Sequence, residues 1–140
     1  MIRIIKLCGL LLFLGNCLPD IRRKQISLLF TGLMAGLGAV LNLLDGNLAE
    51  IPVSLIPGVL FILLSAASRG GIGAGDGIVL LAAGFFRTGE ELFAVILAAV
   101  FLSGIYAAVL FMRRRRGEER FAFVPFLFLA DLLVCLAGGI

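Results

Sequence analysis

The chain has 140 residues, 61% hydrophobic and 15% charged, with a net charge of +3. Soluble domains carry about 45–50% apolar and about 25% charged residues, so this composition describes a membrane protein with no room for a separate soluble domain. There is no histidine, which excludes HExxH zinc peptidases, serine–histidine catalysis and cysteine–histidine nucleophiles.

Six apolar stretches follow one another at about 2–19, 26–44, 51–68, 72–86, 91–112 and 121–139. A membrane helix takes about 20 residues, range ~17–25. The expectation is therefore an all-α membrane protein, a six-transmembrane-helix bundle forming one domain over residues 1–140. In the first stretch, Arg3 and Lys6 before the run Leu7 to Leu14 also have the look of a secretory signal. Asn16-Cys17 is a poor lipoprotein cleavage site, and small residues are lacking at both cleavage subsites, so the segment reads as a retained span. Cys8, Cys17 and Cys135 form no CxxC and no zinc spacing; they read as small buried hydrophobes.

The basic link Ile21-Arg22-Arg23-Lys24-Gln25 separates the first two stretches. The second carries Gly32 and Gly36, a GxxxG spacing suited to close helix packing. An acidic link, Asp45 to Glu50, leads to the third. Thr88 and Glu91 have capping-box spacing at the start of the fifth. Orientation follows from the basic residues of the short links. With the N-terminus outside, Arg22, Arg23, Lys24, Arg69, Arg113, Arg114, Arg115, Arg116 and Arg120 face the cytoplasm, against Arg3, Lys6 and Arg87 outside.

The fourth stretch carries the chemistry. As a helix, 72–86 is about 22 Å long at 1.5 Å per residue, shorter than the ~30 Å hydrocarbon core. The Gly70–Gly77 segment must then dip to membrane depth, where irregular backbone is tolerated only against protein or a water-filled cavity. Gly73-Ala74-Gly75-Asp76 lies within it. An Asp at the middle of a membrane helix costs roughly 2.5–3.5 kcal/mol, so Asp76 is a functional candidate by default. Asp20, at the end of the first stretch, falls at the same membrane face. Two carboxylates sharing a site cannot both ionise easily; one keeps a proton and polarises a carbonyl while the other draws a proton from water. Gly73 and Gly75 lack Cβ atoms, so a substrate backbone could come close. Asp131, about ten residues into the sixth stretch, lies away from that face. It reads as a structural polar contact ahead of a partner for water or a modulator of the pair.

These residues resemble the type IV prepilin peptidases, the GxGD aspartyl proteases. Gly73-Ala74-Gly75-Asp76 matches the GxGD motif, Asp20-Ile21-Arg22 the start of the first aspartate motif, and Val124-Pro125-Phe126 the proline-phenylalanine motif of the last helix. Members commonly have Ile-Pro-Asn where this chain has Ile26-Ser27-Leu28. The cysteine-rich insertion linked with N-methylation is missing, as in the small peptidase-only forms of Tad-type or archaeal-flagellin-type systems. Presenilin-like proteases share GxGD but place their first aspartate in a tyrosine-aspartate motif, unlike Leu18-Pro19-Asp20. The resemblance implies an aspartic endopeptidase of the inner or plasma membrane, with Asp20 and Asp76 catalytic. Its substrates would be prepilin-like membrane proteins whose short basic leader, ending in glycine, is removed at the cytoplasmic face. No cofactor, no metal and no nucleic acid are implied, and no oligomeric state is assigned. The competing expectation is a small transporter subunit or membrane scaffold with Asp20, Asp76 and Asp131 as ion or proton sites.

Overall fold

The structure, a computed structural model, describes residues 1–23, 26–69, 73–113 and 122–138. Lys24, the Gly70-Gly71 turn, Arg114–Arg116 and Arg120 therefore lie outside the described residues. Six helices form: α1 Ile2–Arg23, α2 Leu28–Asp45, α3 Ile51–Ala67, α4 Ala74–Ala83, α5 Gly89–Met112 and α6 Val124–Gly138. Each falls on one of the six apolar stretches. By length and composition α1, α2 and α5 can cross a membrane, whereas α3, α4 and α6 are shorter apolar helices.

Local chemistry sets the ends. Ser27 caps α2, its hydroxyl accepting from the Phe30 N–H at 3.4 Å. Gly46, at φ 71°, closes the same helix in the left-handed region that glycine enters without strain. Thr88 and Glu91 form the full capping box of α5. Helix α4 has only 10 residues, about 15 Å at 1.5 Å per residue. Beyond it the chain turns through Gly84–Phe86 and Arg87 into α5.

The short helix is the centre of the packing. Helices α1, α2 and α3 all lie against α4, and α6 bridges α1 and α5. The core gathers Leu12 and Phe13 of α1, Val79, Leu80 and Ala83 of α4, Leu92 and Val95 of α5, and Leu127 of α6. Close approach of α3 and α4 depends on missing side chains. A Cβ on Gly58 would stand 2.6 Å from the Leu81 backbone, and one on Gly77 3.0 Å from the Ile62 backbone. Large apolar side chains of α2, α3 and α5 remain exposed, the outward-facing arrangement of helices that sit in lipid.

Two expectations are corrected here. A Cβ on Gly32 or Gly36 would meet nothing within 4 Å, so these two glycines make no close helix contact among the described residues. The α2 glycine that meets a neighbour is Gly38, whose Cβ would stand 2.7 Å from Phe85 Cβ, and the glycines that face another helix's backbone are Gly58 of α3 and Gly77 of α4. Arg87 is not an exposed loop charge: its side chain is 1% exposed and paired inside the bundle. It drops out of the charge count used for orientation.

Candidate active site

Asp20 lies in the last turn of α1 and is buried, 6% exposed. Its Oδ2 accepts a hydrogen bond from the Val124 N–H at 3.0 Å. Val124 begins α6, so this amide is one of those a helix start leaves without a partner inside the helix. The carboxylate supplies that partner, and the positive end of the helix favours its negative charge. The next residue is Pro125, which has no N–H to satisfy.

One turn earlier on the same face of α1, Asn16 is fully buried. Its Nδ2 donates to the Leu12 carbonyl at 3.1 Å. Its Oδ1 accepts from the Ser27 N–H at 3.2 Å and the Thr31 hydroxyl at 3.1 Å. Asn16 thus ties the start of α2 to α1 beside Asp20. The departure at Ile26-Ser27-Leu28 acquires a local meaning: Ser27 both caps α2 and anchors its start to Asn16.

Asp76 sits in the first turn of α4, whose N-cap is Gly73. The glycines around it face three ways. A Cβ on Gly73 would lie 3.2 Å from Asp76 Oδ2, so the glycine leaves the carboxylate uncovered. A Cβ on Gly75 would stand 3.2 Å from Ile26 Cγ1 of the α1–α2 link, and Gly77 abuts Ile62 of α3. Gly75 is therefore where the link after Asp20 comes down on the GxGD turn. The fold brings the link that follows Asp20 onto the turn that carries Asp76, and among the described residues no Lys or Arg pairs with either acid.

Asp131 is not part of this cluster. It pairs with Arg87 deep in the bundle, Nη2 to Oδ2 at 2.9 Å. Among the described residues, no three Cys, Asp or Glu side chains gather as a metal site would need. Asn16 escaped the reading of the sequence, although a lone amide four residues before Asp20 is the signal of a polar partner on the same helix face.

Apolar helices able to cross a bilayer, packed around a short buried helix with two acids at one end, define a helical membrane protein. The chain belongs to the type IV leader peptidase family, which it matches over residues 5–108. That span holds Asp20, Gly73, Gly75 and Asp76, and stops short of Val124-Pro125-Phe126. No curated protein and no solved structure matches the chain.

Proposed function

We propose that this chain is an intramembrane aspartic endopeptidase that removes the short basic leader of prepilin-like substrates at the cytoplasmic membrane face. The observation that carries the reading is the approach of the α1–α2 link that follows Asp20 to the Gly75 turn that carries Asp76, with no Lys or Arg paired to either acid among the described residues, in a chain of a leader peptidase family. All six helices would cross or enter the bilayer of the inner or plasma membrane with the N-terminus outside. Asp20 and Asp76 then meet at the cytoplasmic rim.

The chemistry follows from two carboxyls sharing one proton. The ionised member takes a proton from water as the oxygen attacks the scissile carbonyl carbon. The protonated member donates to the carbonyl oxygen. The tetrahedral diol collapses as the C–N bond breaks: the carboxyl that took the proton from water gives it to the departing nitrogen, and the other takes back a proton from a diol hydroxyl, so the pair again holds one proton. The pair titrates as a unit, so the reaction belongs to both residues. The bare face at Gly73 leaves room for an extended peptide backbone beside Asp76.

The test is cleavage of a prepilin-like leader in bilayers containing the protein. Asp20→Asn and Asp76→Asn should each abolish it while membrane insertion persists; near-normal activity in either sinks the paired mechanism. Chelators should leave cleavage intact, and loss restored by added metal would contradict the reading. Cysteine labelling should place residues 22–23 on the cytoplasmic side and 45–50 outside; the reverse pattern removes the proposed site from the face where leaders emerge.

A further inference from the structure

Arg87 and Asp131 take no part in the proposed chemistry, yet both are buried, with side chains 1% and 0% exposed. Arg87 lies in the turn between α4 and α5 and reaches into α6. Its Nη2 donates to Asp131 Oδ2 at 2.9 Å and to Cys135 Sγ, and its Nε stands 2.8 Å from Asp131 Oδ1 without hydrogen-bond alignment. The same Nη2 donates to the Lys6 carbonyl of α1 at 3.4 Å. One guanidinium thus joins the α4–α5 turn, α6 and α1.

Helices α1 and α6 meet again at the other end of their contact, where the Val124 N–H donates to Asp20. Val124 and Asp131 lie on one buried face of α6 with Leu127 and Cys135. They are two turns apart, about 10 Å at 1.5 Å per residue. A two-turn helical segment is stiff along its axis, so wherever Asp131 is held, Val124 is held.

A buried ion pair is weak evidence for stability, because an apolar pair of similar volume often packs as well or better. Its distinctive property is that it is satisfied at one position only, whereas apolar side chains can slide. We propose that the Arg87–Asp131 pair is a registry lock. It sets the axial position of α6 and thereby the placement of the Val124 amide that orients Asp20. Arg87 and Asp131 are positioning residues, and the proposal rests on the reading of Asp20 as a member of the catalytic pair.

The decisive variant is Arg87→Met/Asp131→Leu, which removes both charges together and leaves neither unpaired. Two measurements are needed on the folded protein in bilayers: leader-cleavage kinetics, and backbone amide exchange at Val124. The lock predicts a kcat lower by about 10- to 100-fold, the scale of an ångström-sized misplacement, with KM unchanged and faster exchange at Val124. Parental kcat, or a lowered kcat with parental exchange at Val124, overturns it. Should the double variant not fold, Asp131→Glu decides on the same two measurements: it keeps the charge pair but lengthens the arm by one methylene. Exchange at Val124 reads the lock without turnover. A failure of the catalytic reading, seen as activity retained in Asp20→Asn, is therefore distinguishable from a failure of the lock.

Discussion

Three buried or half-buried aspartates occupy two different electrostatic settings. Asp131 faces a guanidinium at hydrogen-bond distance and is sealed from solvent. Asp20 at the end of α1 accepts one backbone amide, Asp76 opens α4, and no Lys or Arg pairs with either among the described residues. A carboxylate matched to an arginine is held in an ion pair and suits a fastening. On the proposed reading, the two carboxylates without a paired cation among the described residues share one proton, the proton that peptide hydrolysis needs. On that reading the partners, and not depth in the membrane, separate a fastening acid from the acids proposed to react; depth alone would have ranked Asp131 first.

The largest expected effect lies at the unpaired acids. Asp20→Asn or Asp76→Asn should lower kcat for leader cleavage by at least about 100- to 10,000-fold, the range for loss of a general acid or base. Thermal unfolding in detergent should change little, since neither variant strands a buried cation. An active Asp76→Asn protein would erase the contrast between the two settings.

The ion pair should behave in the opposite way. Arg87→Ala or Asp131→Ala alone leaves one buried charge without its partner and should cost about 3–5 kcal/mol of stability. The double change should cost less than the two single changes combined. The unfolding midpoints of the three variants measure this coupling, and strict additivity would mean that the two side chains do not act as a pair.

Smaller effects sharpen the same division among the glycines. Gly58→Val and Gly77→Val drive a side chain into facing backbone and should destabilise by about 1–3 kcal/mol or more. At Gly75 the facing atoms are the Ile26 side chain, which can give by a few tenths of an ångström. Gly75→Ala should therefore fold and instead reduce specific activity, read as turnover per folded protein. Gly36→Ala enters open space and should stabilise α2 by up to about 1 kcal/mol through helix propensity. A destabilised Gly36→Ala protein would mean that this face packs against something outside the chain.

Much of this architecture follows from local pattern. All six helices lie on the apolar stretches because a helix satisfies its own backbone wherever polar partners are scarce. The box at Thr88 and Glu91 was legible because capping is settled within four residues of chain. The motif Gly73-Ala74-Gly75-Asp76 and the membrane-end position of Asp20 also marked two acids as candidates before any contact was known. Tertiary structure alone decided which charges meet. Arg87 reads as a loop cation on paper, and only the packing of α6 against the α4–α5 turn carries it to Asp131, 44 positions away. The GxxxG of α2 has the right spacing for a helix contact, but spacing does not supply a neighbour: the packed glycine of α2 is Gly38, against Phe85 and Phe86, and Gly58 and Gly77 bring α3 and α4 backbone to backbone. The amide that holds Asp20 belongs to a residue 104 positions further along. Composition and periodicity act over a turn or two of helix, whereas pairing of buried polar groups is settled by which helices lie side by side. That is why the helices were written in the sequence and the partners of their charges were not.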